Sequence, residues 1–500
     1  MNWKSYLVAG LACLCVATGT RAGAADTPQP ITVTNYKDAE TIRYPLVLLR
    51  GELADKDLKS ITAVNESSKL DSREMEGAAS NGRYKALAEL VPGENHLVLK
   101  ADKQQATFTL TYKPQTNPYM VRAIHFTDKS GDTTYESQFK DDSQNYKDKW
   151  DAALKLLQTY TADEMNRQGY GRKTFNLELD EGGKVIVHVV KAGGTFEEMQ
   201  KISGGDAYGV SANAIREQLP DGLYKNLVCV AFSRHIKGTE KATAYAALGG
   251  GNVALMGGAC FYTWPTGVKN ILKTFSSDVQ IDIENFHADD IRRFAVWATA
   301  ATTIGSGLHE LGHAFGLPHT KDHRNGIMLR GADTLNRYLE FVDPPCRERA
   351  EYRQFGDDPE PNWSDVCAAA LAPSRWFALD KRDYTEKNTI RFAIDRKTSE
   401  LVVGSDDGLA FLCVEIPGAS DKFDKRAGLA LLPKELRIPL SEIDKEYHTT
   451  GLTVRVLDGM GHYRHANLGM LLNPDSRPAT RGARSRPASA RATSASAPAP

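Results

Sequence analysis

The sequence predicts an α+β protein in which a central part with a long helix lies between two small β domains. Residues 25–115 and 375–472 contain short apolar runs with partial alternation, separated by Gly, Pro, Asn and Asp, as is typical of β-sandwich-like domains. Between them, residues 119–345 give a strand, a helix, further strands and a second, longer helix. Because 500 residues are too many for one hydrophobic core, several domains are expected.

The amino terminus, residues 1–24, predicts a secretory signal peptide. Lys4 supplies a positive start, residues 6–18 are an apolar run, and residues 22–24 form a small-residue cleavage site. The apolar run is too short to cross a bilayer comfortably, which disfavours a membrane anchor. We therefore expect a secreted protein, periplasmic or extracellular, without a stable membrane span.

Residues 25–115 form the first predicted β domain, and the Pro-Gly pair within 91–95 marks a turn in it. Its predicted strands are 41–50, 84–90, 96–101 and 106–112. An immunoglobulin-like sandwich is the natural fold for this pattern. A pro-segment, an adhesion module and a passive spacer are all compatible with it. The segment contains no Cys, which excludes latency through a cysteine bound to a metal.

The central segment begins after a Pro-marked linker at 113–118. Its predicted elements are strands at 120–126, 173–179, 184–190 and 227–232 and a helix at 149–168. A glycine run, 249–251, then separates two apolar runs, 244–248 and 253–256. This run is either an ordinary Gly-rich hairpin or a sheet edge that holds an extended peptide by main-chain hydrogen bonds.

A long helix is predicted at 289–315, because small and apolar residues recur on one face and Asp289 and Asp290 suit the positive amino end of a helix. The end of this helix carries the pattern H-E-x-x-H-x-x-G-x-x-H. His309 and His313 are one turn apart and can present their imidazoles to one ion.

Three histidines complete the predicted metal site. Gly316 has no Cβ, so it can end the helix and turn the chain, which brings His319 back as the third ligand. Three histidines with an open fourth position describe a catalytic zinc site rather than a structural one. Glu310 lies beside the ligands and is free to move protons.

This motif resembles that of the metzincin metallopeptidases, whose second mark is a methionine shortly after the third histidine. Met328 is identified as that Met-turn residue. The motif, together with residues 249–256, 262–265 and 326–330, resembles a zinc metallopeptidase family of fungi and bacteria. The resemblance covers 119–345 and implies a mixed twisted sheet with an active-site helix and one catalytic Zn²⁺.

The tyrosine that some metzincins carry two residues after the methionine is absent, because that position is Arg330. A tyrosine there cannot serve as a further ligand or as an oxyanion donor. Arg330, Arg337 and Tyr338 are the remaining candidates for stabilising an oxyanion, and a structural role is the alternative for each.

The resemblance implies a zinc-dependent endopeptidase in which Glu310 acts as general base on a zinc-activated water. The expected partner is a protein or peptide substrate, and the chain is expected to be a monomer. A net charge of −1 gives no reason to expect nucleic acid. The alternatives are a catalytically silent protein with a vestigial zinc site that binds glycans or a cell surface, and a zinc hydrolase of non-peptide substrates.

The cysteines and the carboxyl-terminal third complete the predictions. Cys346 and Cys367 bracket a predicted polar linker loop, 346–374, and are the best disulfide pair, whereas Cys229 and Cys413 are expected to be buried thiols. Residues 473–500 are rich in Pro, Ala, Ser and Arg and should be disordered. His287 and His323, which lie near the zinc motif in the sequence, are expected to have solvated side chains. His462 and His465, in the second β domain, are not expected to bind metal.

Overall fold

The computed structural model describes residues 30–220, 222–320, 325–355, 360–415, 432–443 and 451–473. The predicted signal peptide, nearly all of the predicted tail, and His323 lie outside the described residues. Within the described part of the chain, no helix combines the length and the apolar character needed to cross a membrane. The secondary structure is mixed, as the α+β prediction requires.

The amino-terminal part is one hydrogen-bonded sheet of eight strands in the order β1-β3-β6-β5-β4-β7-β8-β2. The strands are β1 (Ile31–Val33), β2 (Glu40–Ile42), β3 (Leu46–Leu53), β4 (Ser60–Asn65), β5 (Glu74–Ser80), β6 (Arg83–Glu89), β7 (Gly93–Ala101) and β8 (Gln104–Tyr112). The single strand predicted at 41–50 is two strands, β2 and β3. Pro45 has no N–H for a ladder and directly precedes β3. The immunoglobulin-like fold stays a prediction.

This sheet packs on α1 (Tyr146–Arg167), the helix predicted at 149–168. Thr159 of α1 donates a hydrogen bond to the carbonyl of Leu46 on β3 (2.6 Å). Lys155, also on α1, lies 2.6 Å from the carboxylate of Glu89 on β6, and both side chains are buried. The sheet is therefore joined to the central part by buried polar contacts as well as by apolar packing.

The central sheet has the order β10-β9-β12-β14-β13, and β11 also pairs with β9. Its strands are β9 (Met120–Thr127), β10 (Asn176–Leu177), β11 (Val187–Lys191), β12 (Tyr224–Val230), β13 (Ala247–Gly250) and β14 (Val253–Gly257). All pairs are parallel except β13 with β14. The glycine run therefore forms a tight hairpin whose first strand, β13, is the edge of the sheet.

Helices cover both faces of the central sheet. The short α2 (Phe196–Met199) and α3 (Gly204–Gln218) pack on one face. The other face carries α1, α4 (Ile271–Phe275) and α5 (Val296–Ala314) in the largest apolar core. The sequence pattern does not predict α3, because the face of this helix toward the sheet is made mostly of small residues, which give a weak helical pattern.

Helix α5 is shorter at its amino end than the predicted 289–315. Ile291, Arg292 and Phe294 have φ angles of 57°, 62° and 53°, which a right-handed helix does not contain. Asp290 lies before the helix and still caps its amino end. Its carboxylate accepts hydrogen bonds from the amide of Ala295 (3.1 Å) and the hydroxyl of Thr299 (2.8 Å). The predicted carboxyl end is close to the observed one.

The chain after α5 contains α6 (Asn336–Leu339), a short hairpin of β15 (Val342–Asp343) and β16 (Arg353–Gln354), and α7 (Asp365–Leu371). The predicted polar loop 346–374 thus includes a mostly buried helix. The predicted Cys346–Cys367 disulfide is wrong: the two residues are not bonded to each other, and they lie in separate apolar clusters. Cys229 and Cys413 are buried thiols, as predicted.

The last described part consists of two three-stranded sheets, ordered β17-β18-β20 and β19-β21-β22, around their own apolar core. The elements are β17 (Arg391–Asp395), β18 (Glu400–Gly404), β19 (Leu409–Glu415), β20 (Glu435–Pro439), α8 (Leu440–Ile443), β21 (Thr453–Asp458), β22 (Tyr463–Asn467) and α9 (Leu468–Leu472). The predicted boundaries of the domains stay predictions.

Candidate metal centre

The three predicted ligand histidines lie together at the carboxyl end of α5. His309 and His313 are one helical turn apart, and Gly316, with φ of 94°, ends the helix in the left-handed region that glycine favours. The turn returns the chain so that Nε2 of His319 lies 3.1 Å from Nε2 of His309 and 3.1 Å from Nε2 of His313. The three nitrogens therefore converge on one point.

Backbone carbonyls set the orientation of the first two rings. Nδ1 of His309 donates to the carbonyl oxygen of Ile327 (2.7 Å), and Nδ1 of His313 donates to that of Leu317 (2.8 Å). A carbonyl oxygen can only accept, so in each neutral ring the proton lies on Nδ1 and the lone pair on Nε2. Both Nε2 lone pairs thus point to the shared centre, as in metal-binding histidines.

The donor set fits a zinc ion. Zn–N bonds of about 2.0–2.1 Å in a tetrahedral arrangement separate ligand nitrogens by about 3.3 Å, close to the observed 3.1 Å. Burial lowers the pKa of His309 to about 4, and it also lowers the pKa of His313. Both rings are therefore neutral near pH 7, which is the form that binds a metal.

Glu310 is a buried carboxyl group beside these ligands. Burial raises its pKa to about 7. The edge strand β13 crosses directly against its backbone, because a Cβ placed on Gly249 would lie only 2.2 Å from the carbonyl oxygen of Glu310. Only a glycine allows the strand and the helix to approach this closely.

The edge strand leaves backbone groups available at this crossing. The amide of Gly257 donates to the carbonyl of Ala246 (2.9 Å), so Ala246 belongs to a hydrogen-bonded pair of the β13–β14 ladder. Such pairs alternate with non-bonded ones, so Ala247 and Gly249 direct their N–H and C=O groups away from β14. No further strand pairs with β13 in the described ranges. An extended chain can therefore add to this edge.

Met328, the predicted Met-turn residue, lies against the helix that carries the first two histidines. It is buried, and a Cβ on Gly312 would lie 2.3 Å from its sulfur, so helix and methionine are in close contact. Its neighbour Ile327 supplies the carbonyl that holds His309. The segment that contains Met328 thus supports the helix and orients one ring.

The three candidates for an oxyanion donor have different surroundings. Arg330 is largely exposed and pairs with Asp333 (2.6 Å). Arg337 is buried and pairs with Asp343 (3.3 Å). Tyr338 is fully buried, and its hydroxyl donates to Asp163 of α1 (2.6 Å). Arg337 and Tyr338 are therefore structural, which leaves Arg330 at the surface near His309.

His287 and His462 lie outside this cluster. His287 is buried against the ring of Tyr245, and burial lowers its pKa to about 4, so the expectation of a solvated side chain is wrong. His462 bonds Asp458 through Nδ1 (2.9 Å) and the carbonyl of Thr385 through Nε2 (2.6 Å). His462 also lies with Asp407 and Asp458 in a group whose ligand atoms are within 4.8 Å of one another, so the prediction that it does not bind metal stays a prediction.

Two residues near the site escaped the sequence analysis. The hydroxyl of Tyr208 on α3 donates to the carbonyl of Gly250 in β13 (2.9 Å). Nη1 of Arg455 on β21 lies 3.5 Å from the carbonyl oxygen of Gly316. Both are far from the zinc motif along the chain and belong to no local pattern, so the sequence offers no signal for them.

Comparisons with known proteins relate the chain to peptidases. The model of Metallopep, described as a putative peptidase family, matches residues 30–408. A protein of Schizosaccharomyces pombe named as a putative zinc metalloproteinase is 25% identical over 63% of this chain and 55% of its own length. A Saccharomyces cerevisiae protein with the same kind of name is 26% identical over 51% of this chain and 42% of its own. The chain thus spans about half the length of these curated relatives.

Among solved structures, OgpA from Akkermansia muciniphila in complex with an O-glycopeptide covers 70% of this chain and 92% of its own, with a TM-score of 0.43 at 14% identity. That similarity is too low to carry an argument about function. The family model, in contrast, covers more than half of the chain and includes the eight-stranded sheet, the central sheet and the histidine cluster. The chain belongs to this putative peptidase family.

Proposed function

We propose that this chain is a secreted, zinc-dependent endopeptidase of the metzincin type. The observation that carries the proposal is the convergence of three imidazole nitrogens beside a buried carboxyl group, at the point where β13, whose outer edge pairs with no described strand, crosses the helix. The names of the two fungal relatives support zinc and peptide hydrolysis. The spacing of the motif and the place of Met328 under Gly312 support the metzincin type.

His309, His313 and His319 would hold the zinc ion. Bound zinc lowers the pKa of water and polarises a carbonyl group, which is the chemistry that peptide hydrolysis needs. Ile327 and Leu317 fix two of the rings through their carbonyl oxygens. These two ligands thus keep their tautomers and orientations without help from the substrate, so this part of the site is preorganised.

Glu310 would act as the general base. Its carboxylate takes a proton from the attacking water and later delivers that proton to the leaving amine. A pKa raised to about 7 by burial suits both transfers, because the group can gain and lose a proton near neutral pH.

The open edge of β13 would hold the substrate. Ala247 and Gly249 offer main-chain donors and acceptors to an extended peptide, which would lie as an additional strand above Glu310. This favours the peptide-binding interpretation of the glycine run over an ordinary hairpin. It also favours a peptide substrate over a small ester or amide, since only a chain in extended form can use these groups.

The decisive test is the substitution Glu310→Gln. The amide keeps the shape but cannot take a proton, so we expect zinc content to stay at one ion per chain while cleavage of unfolded casein falls by at least about a thousandfold. Metal analysis and a casein assay with and without chelator measure the two effects. Retained cleavage would refute the role of Glu310, and a wild-type protein without zinc would refute the metal site.

The same experiment separates the alternatives. A silent binding protein with a vestigial site would bind zinc without cleaving casein in any form. A hydrolase of other substrates would leave casein intact but turn over members of a panel of amides and esters.

A further inference from the structure

The part of the chain beyond the family match lies against the metal centre. The matched region ends at residue 408, and β19, β21 and β22 follow it. On β19 and β21 side chains alternate between two faces. Leu412, Val414, Val454 and Val456 point into the core of the C-terminal sheets, whereas Phe411, Cys413, Arg455 and Leu457 face α7 and the turn after α5.

That second face packs against the turn of residues 315–318. These residues and the side chains of β19, β21 and β22 enclose a gap of only about 20 Å³, too small for more than a single water. The contact is therefore close packing and not a ligand pocket.

Arg455 provides the polar contact in this interface. Its guanidinium pairs with Glu415 on the neighbouring strand and contacts the hydroxyl of Tyr463, and Nη1 lies 3.5 Å from the carbonyl oxygen of Gly316. Glu415 is almost completely buried, so the direction of the guanidinium is fixed by its partner. The positive charge also lies at the carboxyl end of α5, where the helix dipole favours a cation.

The turn that Arg455 contacts controls two of the three ligands. The carbonyl of Leu317 orients the ring of His313 (2.8 Å), and His319 follows two residues later. Gly316 adopts a backbone conformation with φ of 94° that gives the turn its direction. A displacement of Gly316 would therefore move the ring partner of His313 and the third ligand together.

We propose that Arg455 is a positioning residue for the metal centre, and that the sheet of β19, β21 and β22 holds the turn that carries His319. The proposal rests on the proposed zinc site. It assigns a role to residues that lie outside the region shared with the family.

The test compares zinc affinity and stability in three full-length variants. Arg455→Met keeps the length of the side chain and removes its charge and its donors. Arg455→Lys restores the charge. Val456→Ala is the matched control, since it weakens the core of the same strand on the opposite face and leaves the turn contact in place. Zinc dissociation constants come from chelator competition, and unfolding midpoints come from the metal-free proteins.

We expect the zinc dissociation constant of Arg455→Met to rise about tenfold, the typical effect of losing a group that orients a metal ligand. Arg455→Lys should recover part of this loss, and Val456→Ala should stay within about twofold of the wild type while lowering the unfolding midpoint at least as much. Unchanged affinity in Arg455→Met, or an equal loss in Val456→Ala, would overturn the inference. A wild-type protein that binds no zinc would overturn the proposed function and this inference with it.

Discussion

Gly249 and Gly250 are neighbours in β13, yet a methyl group would meet different surroundings at the two positions. At Gly249 it would lie 2.2 Å from the carbonyl oxygen of Glu310, whereas at Gly250 its nearest neighbour would be the hydroxyl of Tyr208 at 3.6 Å, an ordinary contact. We expect Gly249→Ala to lower kcat/KM for a peptide by at least about tenfold, about 1.4 kcal/mol, because β13 must move away from α5. Gly250→Ala should change it by less than about twofold. Equal kcat/KM values for the two variants would show that the distance between β13 and α5 does not affect peptide hydrolysis.

At this same scale, the residues of the site form two groups: those placed by neighbouring residues in the sequence and those whose contacts join distant segments. His309, His313, Gly316 and His319 could be predicted because one helix and one turn place them, and the helical repeat is visible in the sequence. The glycine run that contains Gly249 is visible as a possible sheet edge. The contact of Gly249 with Glu310 and that of Arg455 with Gly316 could not be predicted, because they join segments that only the folded sheet and the C-terminal strands bring together.

At the scale of elements, the start of α5 shows where a sequence pattern misleads. Asp289 and Asp290 are equivalent in the sequence, and the pattern predicts both at the amino end of the helix. In the structure, Asp289 is exposed, whereas Asp290 is buried and accepts hydrogen bonds from Ala295 and Thr299. The helix begins later because three residues after Asp290 adopt positive φ, which is a tertiary feature that propensity does not predict.

These two aspartates provide a matched pair of variants. Asp290→Ala removes the acceptor at the start of α5 and should destabilise the protein by about 1–2 kcal/mol. Asp289→Ala should cost less than this, about 0.5 kcal/mol, since its exposed carboxylate accepts one hydrogen bond, from the hydroxyl of Tyr245 (3.0 Å). Urea unfolding measures both. Zinc affinity should not change in either variant, because the ligands lie at the opposite end of the helix. A similar loss of stability in both variants would contradict the capping role of Asp290.

At the scale of the whole molecule, the eight-stranded sheet makes ionic contacts with the rest of the chain that are not expected of a pro-segment removed by proteolysis. Burial alone would lower the pKa of Lys155, but Glu89 and Asp151 raise it above its usual value, so the lysine depends on a partner from the sheet. Glu360 pairs with Lys85 (2.6 Å) and Arg50 (2.8 Å) of the same sheet. Release of residues 30–112 would remove Glu89 from the buried Lys155, which keeps Asp151, and would take both Lys85 and Arg50 away from Glu360. Of the pro-segment, adhesion module and spacer considered from the sequence, this argues against the first.

The pair Glu89–Lys155 allows this conclusion to be tested. Glu89→Ala leaves a buried lysine with half of its partners and should cost about 3–5 kcal/mol of stability. The control is Glu94→Ala, whose side chain is 63% exposed and whose loss should cost less than about 0.5 kcal/mol. Urea unfolding gives both values.

In a parallel experiment, a protease site inserted in the linker 113–118 is cut in the native protein, and the fragments are separated by gel filtration. Because the buried pairs hold the sheet on α1, we expect both fragments to elute together with zinc bound. An active, zinc-bound fragment without the sheet would show instead that the sheet is a removable pro-segment.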